Sequence, residues 1–482
     1  MYNRNISTLS LTFFLLICPA VFAQNQTGLY KEQSIAWVEA NKPMLDEASL
    51  AIWNFAEIGL AEYKSAEYLA DMLERDGFSV ERGVADMPTA FVATYGFGKP
   101  VIGILAEYDA LPGLSQKAAT SSKVPVAVGK PGQGCGHNLL GVASAGGAMA
   151  LKAVMKKNNL SGTIKLFGCP AEETVVGKVY MAKAGIFDGL DICLDWHPYN
   201  SNVVDLGSSK AMNNFEVTFY GKTAHGSSDP WNGRSALDAV ELMNIGVNFL
   251  REHTEPTARM HYVIPDAGMA PNVVPDYARV WYFVREKDRK SVEELYARVL
   301  KIADGAATMT ETTHKVYLIT GVYNKLVNRV VAKLLSDNLQ LVGAPQFTEE
   351  QQKFAKQLQR NFDKEEKGLN TDIEEFKPRG SGSTDVAEVS WLTPTASFWT
   401  TCWPVETPSH SWSVVTCSGS DIGLAGMAVA AKTFATAGVD VLTDPSIVEK
   451  AQAEFRKKTK GFTYKSAVPN DQKPRLPIRE DR

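Results

Sequence analysis

The alternation of short apolar runs with helical patterns constrains the fold of this chain more than any other feature. Helical spacing of apolar residues covers 34–76, 139–155 and 178–184. The apolar runs that predict strands are residues 90–94, 101–106, 164–169, 191–196 and 396–400. Strands that alternate with helices favour an α/β layer fold with a largely parallel sheet. A length of 482 residues is typical of more than one domain.

Residues 212–323 break this alternation and predict a separate domain. The pattern reads strand, helix, strand, strand, helix, strand, which is the ferredoxin-like order. The predicted segments are 214–220, 234–253, 259–266, 277–285, 290–307 and 313–322. We therefore expect a discontinuous catalytic domain (24–211 and 324–465) that carries an inserted lid (212–323). Residues 115–133 predict a long loop, 348–377 a solvated helix with a loop, and 466–482 an exposed tail.

The first 23 residues have the pattern of a secretory signal peptide. Arg4 precedes an apolar run at 9–21, and Ala23 ends a suitable cleavage motif. The run is too short to span a bilayer as a mature helix. We expect cleavage after Ala23, a periplasmic or secreted protein, and no membrane association after cleavage. An uncleaved anchor and lipid attachment at Cys18 remain as alternatives.

Cysteine count and net charge narrow the classes of partner. Five cysteines remain after Cys18 is removed, and this odd number does not indicate a disulfide framework. At least one thiol is unpaired within the chain and could be a ligand or a nucleophile. The net charge of −4 gives no reason to expect a nucleic acid or an anionic membrane as partner.

Acids and imidazoles follow three predicted strands, at the sheet edge where ligands bind in α/β folds. These residues are Glu107 and Asp109, then Glu172 and Glu173, and then His197. A further segment, 134–137, contributes Cys135 and His137 and opens a helix. Zinc accepts thiolate, imidazole and carboxylate ligands, so the pattern predicts a divalent metal site. Each histidine alone would more simply be a buried, hydrogen-bonded residue. Of two adjacent glutamates, one could bind metal while the other moves protons.

The motifs, taken together, resemble the metallopeptidase family 20 amidohydrolases, in the aminoacylase and aminobenzoyl-glutamate hydrolase branch. They run in family order across nearly the whole mature chain. They are AEYDALPG (106–113), GCGHNLLG (134–141), PAEE (170–173), WHP (196–198), GKTAH (221–225) with PW (230–231), APNVVP (270–275), STD (383–385) and SHSW (409–412).

The resemblance implies a mostly parallel-sheet α/β catalytic domain with a dimetal centre and an inserted ferredoxin-like lid and dimerisation domain. It implies two divalent ions, zinc or manganese, with Glu172 as general base and acid and Asp109 orienting a ligand. The implied metal ligands are Cys135 (bridging), His137, Glu173, His197 and His410. The implied substrate contacts are His225, Asn272, Arg285 and Gly380. Many relatives have a metal-binding histidine where Glu107 stands, so we leave Glu107 out of the ligand set.

The expected activity is metal-dependent hydrolysis of the amide bond in N-acyl amino acids such as aminobenzoyl-glutamate. A dipeptidase or an aminoacylase with another acyl group is the alternative within the family. Two other classes remain open: a cysteine hydrolase that uses Cys135 and a histidine, and a non-catalytic metal- or ligand-binding protein. The resemblance also implies a homodimer formed through the lid, with or without a related second chain.

Overall fold

The structure is a computed structural model that describes residues 19–376, 378 and 382–477. Gly380 and residues 1–18 of the predicted signal peptide lie outside the described residues. The first half of the chain forms α1 (Pro19–Phe55), α2 (Tyr63–Arg75), β1 (Ser79–Arg82), β2 (Phe91–Phe97), β3 (Val101–Ala106), α3 (His137–Asn158), β4 (Gly162–Gly168), α4 (Gly177–Lys183), β5 (Ile192–Tyr199) and β6 (Val203–Asp205).

The inserted segment and the last third of the chain follow. The insert contains β7 (Ala211–Tyr220), α5 (Ala236–Leu250), β8 (Arg259–Asp266), β9 (Tyr277–Glu286), α6 (Arg289–Thr310) and β10 (Thr313–Val322). The remainder contains α7 (Arg329–Val342), α8 (Glu349–Arg360), α9 (Val386–Ser390), β11 (Thr395–Thr401), α10 (Trp412–Ser418), α11 (Asp421–Thr443) and α12 (Pro445–Lys458).

The large sheet has the strand order β1-β2-β4-β3-β5-β11-β6. Its four central strands, β4, β3, β5 and β11, run parallel to one another. The outer strands β1, β2 and β6 pair antiparallel at the two sides. The prediction of an α/β fold with a largely parallel sheet is confirmed, and the parallel part is the centre that carries the polar strand ends.

Helices α1, α3 and α11 pack together against one face of this sheet. Helix α3 is buried along most of its length because it is rich in alanine and glycine. A Cβ atom at Gly147 would lie 2.6 Å from the Cβ of Phe434 in α11, so only glycine allows the two helices to approach this closely. Helices α3 and α11 are long and apolar enough to cross a membrane by length and composition, but 89% of the most apolar stretch of each is buried inside the protein.

The insert forms a second, four-stranded antiparallel sheet in the order β10-β7-β9-β8. Helices α5 and α6 cover one face of it, and their apolar residues form a separate core with those of the strands. The chain order β7-α5-β8-β9-α6-β10 confirms the ferredoxin-like prediction.

The C-terminal segment differs from the exposed tail that we predicted. Val468 is 2% exposed, and the Lys183 ammonium donates to the Pro469 carbonyl. Gln472 donates to the Leu318 carbonyl of the lid strand β10. The segment therefore runs along the junction between the two sheets. The prediction was wrong because a polar, proline-containing sequence gives no periodic pattern, even where its backbone is held by distant side chains.

Candidate metal centre

The carboxyl ends of β3 and β4, together with β5, bring the predicted acids and imidazoles to one edge of the large sheet. Glu107 and Asp109 follow β3, and His197 lies within β5. Glu172 and Glu173 follow β4 in a short 3₁₀ turn that Ala171 enters with a φ of 55°. These strands are hydrogen-bonded neighbours, so residues distant in sequence meet at one place.

Gly136 sets the geometry of the segment that carries Cys135 and His137. Its φ is 76°, and a Cβ atom there would lie 3.0 Å from the Pro198 ring and 3.1 Å from Trp403. A side chain would therefore be strained and crowded at this position. Helix α3 begins at His137 immediately afterwards, which leaves the thiol before the helix and the imidazole in its first turn.

Two groups of ligand atoms share the Cys135 thiol. One consists of Cys135, His137 and His197, and the other of Cys135, Glu173 and His410; in each, the ligand atoms lie within 4.8 Å of one another. The Cys135 sulfur is 3.3 Å from Nε2 of His197. Nε2 of His410 is 3.4 Å from Oε2 of Glu173. The five predicted ligands therefore converge, with the thiol between two possible ion positions.

Hydrogen bonds to Nδ1 turn the Nε2 atoms of two imidazoles toward the centre. Nδ1 of His137 is 2.8 Å from Oδ1 of Asp109, and Nδ1 of His197 is 2.7 Å from the Pro198 carbonyl. A carbonyl and a carboxylate accept, so each Nδ1 carries the proton and each Nε2 presents a lone pair. Oδ2 of Asp109 also accepts from the Glu173 backbone N–H at 3.0 Å. Asp109 thus orients two of the candidate ligands.

The centre holds polar atoms that lack a partner among the described residues. Nε2 of His137 and Oε1 of Glu173 are buried and make no hydrogen bond there. Burial, together with the negative charge of neighbouring acids, raises the pKa of the Cys135 thiol above its usual range and that of Glu173 to about 8. Burial and the nearby His137 lower the pKa of His197 to about 4. A cation would satisfy the orphaned atoms and stabilise the thiolate, so the residues fit a metal ion.

Glu172 lies beside the centre without belonging to either thiol-containing group. Its Oε2 is 4.0 Å from Nε2 of His137. Burial, followed by repulsion from Glu107 and Asp385, raises its pKa well above the ordinary value. A carboxyl group that retains a proton near neutral pH is suited to proton transfer.

The sequence did not single out Lys178, which lies between two acids at this edge. Its ammonium is 2.6 Å from Oε1 of Glu107 and 2.6 Å from Oδ1 of Asp385, and its side chain is fully buried. Oε2 of Glu107 is 3.4 Å from Nε2 of His137. A lysine in the otherwise apolar run 175–182 was the available sign of such an ion pair. Glu107 therefore has a resident cation, unlike Glu173 in the described part of the chain.

A cavity of about 380 Å³ opens at the centre. Glu172, Glu173, His197 and His410 line it from the large domain, and Arg285 lines it from lid strand β9. The Nε atom of Arg285 has no hydrogen-bond partner among the described residues, and its guanidinium lies 5.6 Å from the Phe283 ring centre. An unpartnered guanidinium in a cavity is suited to a substrate carboxylate.

His225 and Asn272 are not brought to the cavity of their own chain. Both are exposed on the lid, where Gly226 N–H donates to the Asn272 carbonyl at 2.8 Å. Nδ1 of His225 accepts from the backbone N–H groups of Ser227 and Ser228. Their predicted roles, like that of Gly380 outside the described residues, stay predictions.

Comparison with known proteins agrees with this architecture. Residues 208–308 match the family model described as a peptidase dimerisation domain. The chain is 36% identical to one of the two chains of the p-aminobenzoyl-glutamate hydrolase of Escherichia coli, over 91% of this chain and 97% of that protein. It is 26% identical to the Xaa-Arg dipeptidase of Mus musculus, over 91% and 95% of the two chains.

A solved structure with the same fold is that of a dinuclear metal-binding peptidase of the M20 family from Bacillus subtilis. It is 18% identical to this chain, has a TM-score of 0.53, and covers 84% of this chain and 99% of its own. The relatives are named as hydrolases and peptidases, which confirms the predicted reaction class and excludes a purely binding protein. This chain therefore belongs to the M20 peptidase family and is an amide-bond hydrolase.

Proposed function

We propose that this protein is a dimetal-dependent hydrolase of the amide bond in N-acyl amino acids of the aminobenzoyl-glutamate type. The observation that carries the proposal is the convergence of one thiol, three imidazoles and one carboxylate around two positions that share Cys135. Two orphaned buried ligand atoms at the same place support it. The aminobenzoyl-glutamate hydrolase relative, which matches nearly the full length of this chain, supports the substrate class.

Cys135, His137 and His197 would hold one ion, and Cys135, Glu173 and His410 the other. Zinc and manganese are both compatible with these donors. The chemistry that bound ions would supply is polarisation of the amide carbonyl and a lowered pKa for the attacking water.

The chain's own residues would bind the substrate and move the proton. Glu172 lines the cavity and lies beside the ligand cluster, where it takes the water proton and then protonates the departing amine nitrogen. Arg285 holds the substrate carboxylate through its guanidinium. In a homodimer formed through the lid, the exposed His225 and Asn272 would complete the site of the partner and bind the oxyanion. A related second chain could take the partner's place.

A dipeptidase is the second candidate within the same reaction class. It is favoured by the dipeptidase relative, which matches over 91% of this chain, and by a buried acid, Asp195, that also lines the cavity. A cysteine hydrolase is disfavoured because burial and Glu173 raise the pKa of Cys135, which opposes the thiolate that such an enzyme needs. Sensitivity to alkylation combined with resistance to chelators would reverse this judgement.

Hydrolysis of p-aminobenzoyl-glutamate by the metal-depleted chain, reconstituted with zinc or manganese, tests the proposal. We expect activity to return with metal, and the Glu172→Gln variant to bind metal at the same stoichiometry but to lose roughly 100-fold or more in kcat. Glu350→Gln, a charge-matched change of an exposed residue on α8, is the control. Turnover by Glu172→Gln equal to that of the control would refute the assigned role.

We also propose that residues 1–23 are removed on export and that the mature protein is periplasmic or secreted. The support is the signal-peptide pattern around Arg4 and Ala23. N-terminal sequencing of the protein from fractionated cells tests it. A cytoplasmic protein that retains residue 2 would contradict it.

A further inference from the structure

Three strands of the large sheet place a row of polar side chains on the cavity floor. Asp195 of β5 is paired in register with Ser397 of β11, and Ser397 is paired with Asp205 of β6. Residues directly opposite one another in a sheet point to the same face, and all three line the cavity. His197 and Trp399 form the next row on the same face. The polar row therefore lies roughly 7 Å from the His197 position, at two residues of about 3.3 Å each.

The two acids in this row differ in how they are compensated. Oδ2 of Asp205 is 3.1 Å from the ammonium of Lys325, and its Oδ1 accepts from the Gly207 N–H at 2.7 Å. Asp195 is 5% exposed, and its Oδ1 is buried without a hydrogen-bond partner. No ion pair involving Asp195 is present within 19–376, 378 and 382–477. A carboxylate that is buried without a partner is costly, and a ligand with a positive N–H group would relieve that cost.

The cavity therefore has two unlike polar groups without partners. The Arg285 guanidinium on the lid side suits a carboxylate, and the Asp195 carboxylate on the floor suits a cation. Between them lie the ligand cluster and the aromatic side chains of Tyr199 and Trp399, whose ring centres are 4.5 Å apart. The volume of about 380 Å³ is in the range of sites for small organic ligands.

We propose that Asp195 is a specificity-determining residue that binds a basic nitrogen group, an ammonium or a guanidinium, remote from the scissile amide. The proposal rests on the proposed function, because it names the substrate class of the same site: amides that carry a carboxylate at one end and a cationic group at the other.

Binding of two product-like ligands tests this without catalysis. The probes are 4-(aminomethyl)benzoate and 4-ethylbenzoate, which have similar shape but differ in the ammonium group. Calorimetry with the full mature chain and added manganese should show roughly 10- to 100-fold tighter binding of the amine, the effect of a charge-assisted hydrogen bond. Asp195→Asn preserves side-chain size and should remove about 10-fold or more of this preference. Asp337→Asn, an exposed acid on α7, should retain it.

Equal binding of the two probes by the unaltered protein would overturn the proposal, and this comparison does not depend on any variant folding. Retention of the full preference by Asp195→Asn would overturn it as well. Hydrolysis of paired dipeptides that contain lysine or norleucine separates the two proposals. A preference for the amine probe without hydrolysis of any substrate refutes the proposed function alone. Hydrolysis of both dipeptides at equal kcat/KM, with no probe preference, refutes the role of Asp195 alone.

Discussion

Replacing Lys178 with methionine would leave two buried carboxylates without the cation that they share. The lysine ammonium lies 2.6 Å from an oxygen of Glu107 and 2.6 Å from an oxygen of Asp385, and the three side chains are at most 2% exposed. Burial alone would lower the pKa of Lys178, but attraction by Asp385 and Glu107 outweighs it and raises the pKa. The ammonium is therefore charged at neutral pH, and methionine removes that charge while keeping most of the apolar stem.

The expected loss is large because the remaining acids stay buried. Removing one partner of a buried ion pair costs about 3–5 kcal/mol. The unfolding entropy is about 2 cal/mol/K per residue, so for a chain of this length the melting temperature should fall by roughly 3–7 °C. Adding Glu107→Gln and Asp385→Asn to Lys178→Met should restore part of this loss, because a neutral set of similar volume no longer buries unpaired charge.

Differential scanning calorimetry of the variants at one scan rate measures the effect. The matched control is Lys333→Met on α7, which removes an exposed i,i+4 pair with Asp337 and should change stability by less than about 0.5 kcal/mol. A melting temperature for Lys178→Met within about 1 °C of that of the control would refute the reasoning. So would a further decrease when the two acids are neutralised.

Two other perturbations have expected outcomes that follow from single contacts. Asp109→Asn weakens the orientation of His137 and of the Glu173 backbone, so metal affinity should fall about 10- to 100-fold in a competition titration with a chelating dye; affinity equal to the unaltered protein would contradict this. Burial raises the pKa of Glu388 to about 7 although Tyr464 and Tyr323 donate to it. The unfolded chain releases this proton near its ordinary pKa of 4.5, so the folded state loses stability as the pH rises from about 4.5 to 7. Glu388→Gln should therefore lose less melting temperature between pH 5 and pH 8, and an unchanged pH profile would contradict it.

Most of the fold could be predicted because its elements have local patterns. Strand β3 and strand β10 have the bounds that their apolar runs predicted, and the insert has the predicted element order. The antiparallel sides of the large sheet could not be predicted, because β6 is three residues long and pairs with β11 nearly two hundred residues later. The docked segment around Val468 was missed for the same reason, since its stabilising contacts are with side chains of other elements.

The ligand cluster was predictable because strand ends in a parallel sheet meet at one edge. Cys135, Glu173 and His197 each lie at or beside such an end, and the structure brings them together with His410. Asp195 gave no comparable sign. It precedes His197 by two residues in an apolar strand, and its surroundings depend on the register of β5 with β11 and of β11 with β6. Register between distant strands cannot be read from the residues of one strand.

The acids around the cavity fall into two classes by the cations that the chain provides for them. Glu107 and Asp385 share Lys178, and Asp205 has Lys325. Among the residues that the structure describes, Glu173 and Asp195 have no lysine or arginine within ion-pair distance, although both line the cavity. A fold that builds buried lysines beside some of its acids and leaves others uncompensated places its unsatisfied negative charge where ligands enter. On this argument the compensated acids hold the sheet edge in shape, while Glu173 awaits a metal ion and Asp195 the positive end of a substrate.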